Sequence, residues 1–420
     1  MVNKSEDALD GTRPRESSVH GAYHFEMGPI RPPSEGSDRS LLIRINRNCP
    51  WNRCRFCNTY RGERFEYRSV DEVLHDIDVV KKIADMLKLS SWEVGHAGRI
   101  TEEVVEATIR RHPHVYGRMA AEDEELSARL HCLISVANWL SSGARTVFLQ
   151  DANAIIMRLP ELIQVLSYLK STFPTIERIT SYGRAKTANQ RTTEELKALR
   201  DAGLVRLHIG MESGCDEVLA FMQKGVTAEE HIQAGKKIVA SGISLSEYVM
   251  PGLGGRKWSE RHAKDTAEAL NQIGPDFIRL RSLVVRRNSA LGEMEAAGEF
   301  EQLDEEGVVD EIRLLVEHLE CESYLTSDQM SNLLWEVEGK LPQDKPRILE
   351  EIKRFQSMSR RERLRFRLQR RANSYIAVYG GMPQDLAAQV VAASKALDDQ
   401  GSEPGPLVEA AIAQLKQGFV

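Results

Sequence analysis

The stretch Leu41–Cys57, LLIRINRNCPWNRCRFC, decides the fold. A short apolar run is followed at once by three cysteines with the spacing C-x4-C-x2-C, at Cys49, Cys54 and Cys57. A short run of apolar, β-branched residues is typical of a buried strand, so we expect the cysteines on the loop at its carboxyl end. Thiolates gathered on one loop are typical ligands of soft metals, and this loop is therefore the first candidate site.

The same order, a short apolar run and then a segment of helical period, repeats along the chain. Helices are predicted to begin at Ser69 and at Thr192 or Thr193 as N-caps, and Gly203 is predicted to end the second of these. Such alternation predicts an α/β fold with a parallel sheet, and six units favour a partial (β/α)6 TIM-like barrel over an open doubly wound sheet. The predicted strands are LLIRINRN (41–48), TVFLQD (146–151), RITSYG (178–183), VRLHIGME (205–212), SLSEYVMPG (244–252) and FIRLRSLVV (277–285).

The pattern divides the chain into four parts. Residues 1–40 are polar and are predicted to be an extended lead-in at the surface. Residues 41–290 form the predicted barrel, with a helical insertion after the first strand at about 86–142. Residues 291–375 and a tail at 376–420 are predicted to be a helical extension. The predicted helices of the extension include EEGVVDEIRLLVEHLE (305–320), DQMSNLLWEVEGKL (328–341) and DKPRILEEIKRF (344–355).

Composition limits the class of protein. The 420 residues include 56 Lys+Arg and 62 Asp+Glu, a formal charge of −6, so no global basic field attracts nucleic acid or anionic membranes. The first residues have no apolar signal-peptide core, and nowhere do about 18 apolar residues run together. The sequence therefore predicts a cytoplasmic protein with no membrane partner, whose 6 cysteines stay reduced.

The cysteine spacing leaves three interpretations open. Three thiolates can hold three irons of a cubane iron–sulfur cluster and leave the fourth iron open to another ligand. A structural zinc ion would need a fourth ligand, and no second C-x2-C or H-x3-H pair accompanies this loop. The third interpretation is three unrelated buried thiols. Four neighbouring arginines are expected to lower the pKa of the thiols and to offset the charge of a cluster: Arg47, Arg53, Arg55 and Arg61.

A three-cysteine loop after the first strand of a six-unit barrel resembles the mark of the radical S-adenosylmethionine (radical SAM) superfamily. The resemblance implies that Cys49, Cys54 and Cys57 bind a [4Fe–4S] cluster whose open iron takes the amino and carboxylate groups of S-adenosylmethionine. It also implies an external electron donor such as flavodoxin or ferredoxin. Reductive cleavage would give methionine and a 5′-deoxyadenosyl radical that abstracts hydrogen from a substrate. Phe56 matches the usual aromatic residue, whereas the four residues between the first two cysteines depart from the common three.

Two further segments resemble one branch of that superfamily. HIGMESGCDEVLAFMQKGVTAEEHIQAGKKIVASGI (208–243) is similar to the G-x-E-S-G segment of tRNA methylthiotransferase-like, Elongator-catalytic-subunit-like and oxygen-independent coproporphyrinogen-oxidase-like enzymes. YVMPGLGG (248–255) is similar to the turn after the fifth strand of the same branch. The resemblance covers about residues 40–290 and implies an enzyme, but it leaves the substrate and the specific reaction open.

Side chains at the predicted barrel mouth are the candidate contacts of S-adenosylmethionine. Asp151 and Asn153 offer acceptors for its ammonium group in place of the usual glycine-rich turn, and an Asx turn is the alternative. Strand alternation directs Glu212 into the barrel, where it meets the cofactor's amino or ribose group or else pairs with Arg279 or Arg281. The predicted set is completed on the next two strands by Ser246, Tyr248 and Arg281.

Two other features have alternative interpretations. Cys215 is either a hydrogen-atom donor to a substrate radical or a small residue at a helix start. The segment KRFQSMSRRERLRFRLQRR (353–371) either grips tRNA phosphates in an RNA-modifying enzyme or pairs with the acidic run around Glu301–Glu311. The acidic chain favours pairing, so nucleic acid is the less favoured partner. Outside the enzyme class, the alternative is a non-catalytic iron–sulfur or zinc protein on a barrel scaffold.

Overall fold

The computed structural model describes residues 23–29, 39–117, 123–399 and 403–419. The chain forms two compact units, one of residues 1–26 and 75–137, the other of residues 27–74 and 138–420. The predicted insertion at about 86–142 overlaps the longer segment of the first unit. The predicted boundaries at residues 290 and 375 stay predictions.

Much of the predicted lead-in, residues 1–22 and 30–38, lies outside the described residues. In the described part, Phe25 is fully buried. The Gly28 N–H donates to Gln150 Oε1 at 2.9 Å, and the Gly28 carbonyl accepts from Gln150 Nε2 at 3.1 Å. The expectation of a surface lead-in is wrong for these residues, because an apolar ring and a bonded backbone hold them in place.

Four of the described helices lie wholly or partly in the first unit. Ser69 Oγ accepts from the Glu72 N–H, and the Glu72 carboxylate accepts from the Ser69 N–H, so Ser69 is the predicted N-cap of the first helix. Buried apolar residues such as Ile77, Leu87 and Leu133 form the interior of this unit. The helices are α1 (Val70–Glu93), α2 (Glu102–Arg111), α3 (Pro113–Tyr116) and α4 (Asp123–Ser141).

The second unit is built on an eight-stranded sheet of order β1-β4-β5-β6-β7-β8-β9-β10. All neighbours are parallel except β10, which runs antiparallel to β9, and β2 and β3 form a separate antiparallel pair. The strands are β1 (Leu41–Arg44), β2 (Asn46–Arg47), β3 (Glu66–Tyr67), β4 (Thr146–Gln150), β5 (Arg178–Gly183), β6 (Leu204–Glu212), β7 (Ser244–Val249), β8 (Phe277–Leu280), β9 (Ser323–Thr326) and β10 (Gly339–Leu341).

The crossover helices begin and end where the local chemistry predicts. Thr192 and Glu195 form a reciprocal capping box, and Gly203 ends that helix with a φ of +120°. The helices are α5 (Leu159–Thr172), α6 (Ala185–Gln190), α7 (Thr193–Ala202), α8 (Asp216–Phe221), α9 (Ala228–Ala240), α10 (Gly255–Ile273), α11 (Ala290–Ala296), α12 (Glu305–His318), α13 (Lys345–Gln356), α14 (Arg360–Tyr379), α15 (Gln384–Asp398) and α16 (Gly405–Gln417). Among the described helices, none has the length and apolar character needed to cross a membrane.

The α/β class and all six predicted strands are confirmed. The described sheet has β1 and β10 as its edges, so it is not hydrogen-bonded into a closed barrel. The predicted helix at 328–341 is wrong. Asn332 donates to the Leu280 carbonyl at 2.7 Å and accepts from the Ser282 N–H at 2.9 Å, and these bonds tie an irregular segment of turns to the end of β8. The apolar residues that suggested a helix, Leu333, Leu334 and Val337, are buried from this irregular segment instead.

The arginine-rich segment 353–371 lies in α13 and α14, and its arginines are used inside the chain. Arg367 and Arg371 are buried and both pair with Glu305, at 2.7 and 2.6 Å. Arg363 pairs with Glu306 at 2.9 Å. The predicted pairing with the acidic run is therefore confirmed. Further partners along the helix are Asp398 for Arg365, Glu336 for Arg370 and the carbonyls of Ala396 and Leu397 for Arg361.

Replacing Glu305 by alanine is expected to destabilise the chain by about 3–5 kcal/mol, because two buried guanidinium groups lose their shared carboxylate. The matched control is Arg365→Ala, which removes an exposed pair and is expected to lose about 1 kcal/mol or less. Urea unfolding at neutral pH measures both changes. Equal destabilisation by the two variants would contradict the role given to Glu305.

Stability should also depend on acid through the same carboxylate. Burial alone would raise the pKa of Glu305, but the positive charges of Arg371, Lys416 and Arg367 outweigh it and lower that pKa to about 2. The folded pKa lies below the unfolded value of about 4.3, so this contribution is complete above the unfolded pKa and is lost as pH falls toward 2. The stability gap between wild type and Glu305→Gln should narrow over that range, and a constant gap would contradict this.

Candidate functional site

The cysteine loop leaves the sheet just after β1 and β2. Asn48 and Asn52 have φ values of +69° and +47°, in the left-handed region that asparagine adopts more readily than most residues. The Asn52 N–H donates to Cys49 Sγ at 3.4 Å, and the Cys57 N–H donates to the Cys54 carbonyl at 3.1 Å. These bonds form one turn between Cys49 and Cys54 and a second between Cys54 and Cys57, so the three thiols stay on one short loop.

Trp51, inside the first interval, docks this loop onto the turn that follows α8. Its Nε1 donates to the Gln223 carbonyl at 2.7 Å, and the Arg55 N–H donates to the Met222 carbonyl at 3.0 Å. Gly225 has a φ of +72°, and a Cβ there would lie 2.2 Å from the indole ring. Only glycine lets the indole approach the turn this closely, so Gly225 forms the seat of Trp51.

The same turn carries a buried cation to the loop. Lys224 Nζ lies 2.9 Å from Glu212 Oε1, and the two side chains are 14% and 13% exposed. Burial lowers the pKa of Lys224, but the negative charges of Glu212 and Cys54 outweigh burial and raise it overall. Lys224 is therefore a permanent positive charge beside the cysteine loop.

Arg184, at the end of β5, is a second cation near the thiols. Burial lowers its pKa, while the charges of Cys49 and Cys54 act in the opposite direction. Its guanidinium carbon lies 5.1 Å from the Trp51 ring centroid, and its Nη2 donates to the Lys224 carbonyl at 3.2 Å. The loop anchor, the buried lysine and this arginine are thus parts of one packed group.

The expectation that neighbouring arginines lower the pKa of the thiols is wrong for Cys54. Burial raises the pKa of Cys54 to about 11; Lys224 opposes this, and Cys57, Glu212 and Cys49 add to it. The four predicted arginines have other partners. The cations that act on Cys54 and Cys49 are Lys224 and Arg184, which are distant from the cysteines in sequence. Arg47 pairs with Glu72, Arg61 with Glu293, Arg53 lies over Trp51 and Arg55 over Phe221.

The donor type and the charge of this loop suit an iron–sulfur cluster. Three thiolates can each bind one iron of a cubane cluster. The cations Lys224 and Arg184, which act on Cys54 and Cys49, suit a negatively charged cluster. Within the described residues, no group of three or more His, Cys, Asp or Glu side chains has the arrangement of a site for one metal ion.

Asp151 and Asn153 are fully buried after β4 and already have protein partners. Asp151 Oδ2 accepts from Arg44 Nε at 2.7 Å and from the Asn48 N–H at 2.9 Å, which fixes the residue before Cys49. Asn153 donates to Thr187 Oγ1 at 2.8 Å and accepts from the Arg184 N–H at 3.0 Å. Both shape the walls of the site. Their predicted contact with the ammonium of S-adenosylmethionine stays a prediction.

Glu212 lies where β6 leaves the sheet, with a φ of +66°. The pairing of β6 with β7 shifts between Gly210 and Glu212. A Cβ on Gly210 would lie 2.4 Å from Glu212 Oε1 and 3.1 Å from Lys224 Nζ, so the glycine makes room for the ion pair. The protein partner of Glu212 is Lys224 rather than the predicted Arg279 or Arg281. The contact of Glu212 with the cofactor stays a prediction.

Ser246, Tyr248 and Arg281 belong to a cluster of rings and guanidinium groups on β5 to β8. Ser246 accepts from Arg279 Nε at 3.1 Å. The Arg281 guanidinium carbon lies 4.6 Å from the Tyr248 ring centroid, and its Nη2 donates to the Tyr248 hydroxyl at 3.4 Å. Burial, aided by Tyr248, raises the pKa of Tyr182, so this phenol stays neutral. The cofactor role of the three predicted residues stays a prediction.

Cys215 supports the plainer of its two interpretations. Its side chain is fully buried among apolar residues that include Val218, Met222 and Leu253. Burial raises its pKa to about 11. The thiol packs at the start of α8, and its predicted role as a hydrogen-atom donor stays a prediction.

Sequence reasoning missed Trp51, Lys224 and Gly225. Each lies inside a quoted motif, but none has a chemical signature of its own. The usable signal was the Lys-Gly pair after α8, since a glycine in a turn often marks a close approach. Two other missed residues, His262 and Glu311, lie behind the mouth turns on α10 and α12.

Residues 144–267 match the family profile of the Radical SAM superfamily. This part of the chain is therefore similar to the radical SAM domain. The matched residues contain Glu212, Lys224 and Tyr248, whereas the three cysteines precede them. Enzymes of this superfamily use a [4Fe–4S] cluster and S-adenosylmethionine.

Individual relatives match only part of this chain. The tRNA uridine(34) acetyltransferase of Methanocaldococcus jannaschii is 26% identical over 119 residues, 28% of this chain and 22% of that protein. Its counterpart in Methanocaldococcus infernus is 27% identical over 121 residues, with the same shares. The chain thus spans about a fifth of the length of these curated relatives. Coproporphyrinogen III oxidase of Escherichia coli aligns with a TM-score of 0.39 and 12% identity, over 66% of this chain and 51% of that one.

Gly225→Ala is expected to dislodge the cysteine loop. The added methyl group meets the Trp51 ring and also strains a positive φ, which together should destabilise the chain by about 2–4 kcal/mol and reduce the iron it retains. The matched control is Gly274→Ala, which has a φ of +63° but no atom within 4 Å of the added carbon. It should lose about 1–2 kcal/mol and keep its iron. Thermal unfolding and iron analysis after anaerobic reconstitution measure both effects. Equal iron content in both variants would contradict the role of Gly225 as the seat of Trp51.

Proposed function

We propose that Cys49, Cys54 and Cys57 hold a [4Fe–4S] cluster, with which this radical SAM enzyme cleaves S-adenosylmethionine reductively and abstracts hydrogen from a substrate yet to be identified. The observation that carries the proposal is the docking of the cysteine loop on the turn at residues 222–225. That docking brings Cys54 within electrostatic reach of Lys224 and Glu212, and it joins the loop to the family-matched segment.

When bound, the cluster would pass one electron from a donor to S-adenosylmethionine and split its sulfonium into methionine and a 5′-deoxyadenosyl radical. That radical would become 5′-deoxyadenosine on taking a hydrogen atom from the substrate. The chain's own residues would prepare this site in three ways. Trp51 and Gly225 hold the loop in place. Lys224 and Arg184 offset negative charge near Cys54 and Cys49. The rings of Tyr182 and Tyr248, whose centroids lie 6.0 Å apart, would help to keep water out of the site.

Cys57 marks the side from which the electron would come. It is the exposed cysteine of the loop, while Cys49 and Cys54 are half-buried. We propose that an external carrier such as flavodoxin or ferredoxin, in the cytoplasm, delivers the electron on this side. Electron transfer needs close approach rather than a deep pocket, which suits an exposed loop edge.

A second candidate is modification of RNA, and one observation favours it. Two of the curated relatives are tRNA uridine(34) acetyltransferases. The segment 353–371, which was the sequence basis for this alternative, has its arginines paired inside the chain, so it does not offer the phosphate contacts. Added tRNA should raise the rate of 5′-deoxyadenosine formation if RNA is the substrate, and no change across a total tRNA pool would count against RNA.

Cys54→Ala is expected to remove most of the iron and all formation of 5′-deoxyadenosine, because a three-thiolate site loses one of its ligands. Cys321→Ala serves as the control, since Cys321 is a half-buried thiol outside the loop. Iron per chain and product are measured after anaerobic reconstitution and chemical reduction. Full iron content in Cys54→Ala protein would contradict the assignment.

Glu212→Gln should weaken binding of S-adenosylmethionine by roughly 10- to 150-fold, the loss of one charge-assisted bond of ~1.5–3 kcal/mol. The single change also leaves Lys224 buried without its partner, so stability should fall. The double variant Glu212→Gln/Lys224→Met removes that complication. We expect it to regain stability while affinity stays low. Recovered affinity in the double variant would mean that Glu212 serves only to pair with Lys224.

A further inference from the structure

A buried chain of polar groups lies behind the two turns at the mouth. Ser213 Oγ lies 2.8 Å from His262 Nδ1, and His262 Nε2 lies 3.1 Å from the Met250 carbonyl oxygen. Glu311 Oε1 lies 3.6 Å from the same Nε2 and accepts from the Gly252 N–H at 2.6 Å. Ser213, His262 and Glu311 are 0%, 2% and 4% exposed, respectively. Burying three such groups costs stability unless each is hydrogen-bonded, and here each has a partner.

A serine, histidine and glutamate in a row resemble a hydrolytic triad, but these residues have no access to a substrate. The cavity next to His262 and Glu311 is about 10 Å³, room for about one water molecule. Ser213 Oγ also accepts from the Cys215 N–H at 3.0 Å. The Ser213 hydroxyl is therefore fully hydrogen-bonded and enclosed. Any role of these buried polar groups is exerted on the protein's own structure and not on a substrate.

The positions of the hydrogen atoms on these buried polar groups follow from their hydrogen-bond partners. The Met250 carbonyl only accepts, so His262 Nε2 carries a hydrogen and donates to it. With that hydrogen on Nε2, Nδ1 accepts from the Ser213 hydroxyl and also lies 3.4 Å from Thr266 Oγ1, and the Ser213 oxygen is left to accept from the Cys215 N–H. Each bond has one consistent direction, so the imidazole joins a serine on one turn to a carbonyl on the next.

The first of these turns, residues 212–215, is pressed against α10. The Gly214 N–H donates to Thr266 Oγ1 at 2.8 Å. A Cβ on Gly214 would lie 2.5 Å from the Asp265 carbonyl oxygen, so no other residue allows this approach. The second turn, residues 250–255, begins with the Met250 N–H donating to the Glu212 carbonyl at 3.0 Å. The imidazole of His262 closes this arrangement from behind.

We propose that His262 is a positioning residue that couples the turns 212–215 and 250–255 and so fixes the place of Glu212 at the mouth. It acts on one turn through Ser213 and on the other through Met250 and Glu311. The part of the inference that concerns the cofactor rests on the proposed function; the coupling of the two turns does not.

The coupling is tested on the full chain without any cofactor, by amide hydrogen exchange. Ser213→Ala changes only the first turn, yet exchange should quicken severalfold at Gly252 and Leu253 in the second. His262→Gln keeps a donor near the Nε2 position and should spare the second turn more than the first, while His262→Asn should do the reverse. Ser241→Ala is the control, since it removes the two hydrogen bonds of a buried serine at the other end of β7. Quickening confined to the first turn in Ser213→Ala, or matched by the control, would overturn the coupling.

The second measurement asks whether the coupling reaches the site. In reconstituted protein, Ser213→Ala and both His262 variants should keep their iron but bind S-adenosylmethionine about tenfold more weakly, whereas Ser241→Ala should lose similar thermal stability without losing affinity. Weakened stability with wild-type affinity in the His262 variants would overturn the positioning role. Wild-type protein that binds no cofactor would instead overturn the proposed function, and the hydrogen-exchange result would then decide the coupling alone.

Discussion

The ion pair between Lys224 and Glu212 is the constraint on which the rest of the site depends. A lysine removed from water needs a carboxylate partner, and loss of either one is costly. Gly210 leaves room for the pair, and the positive φ of Glu212 aims its side chain toward the lysine. The turn that carries Lys224 also seats Trp51, so the charge and the cysteine loop reach the mouth together. One short turn thus determines both where the thiols lie and what charge they face.

Local pattern was enough to predict the scaffold. Short apolar runs gave the six strands of the predicted barrel, and Ser69, Thr192 and Gly203 marked helix ends because capping is a local interaction. The strand β9 and the irregular segment of turns that follows it could not be predicted in this way. Asn332 holds that segment by bonds to the end of β8, about fifty residues away in sequence, and nothing in its own residues records them.

The candidate site shows the same division. The three cysteines are predictable because their spacing is itself the signal. The partners of the charged groups are not predictable, because they are chosen by tertiary contact. Glu212 pairs with Lys224 rather than with Arg279 or Arg281, Asp151 pairs with Arg44, and Arg55 lies over the ring of Phe221. The arginines of α14 make the opposite point. A segment that reads as a basic surface neutralises an acidic helix instead, with Glu305 at its centre.

The most direct test of the account is the electron paramagnetic resonance spectrum of the anaerobically reconstituted, reduced chain, recorded before and after addition of S-adenosylmethionine. Three protein thiolates leave one iron open, so the account predicts a [4Fe–4S]⁺ signal whose shape changes when the cofactor binds that iron. The change should saturate at one cofactor per chain. A signal that is absent, or that stays the same at saturating cofactor, would contradict the claim that this loop holds a cluster with an open site.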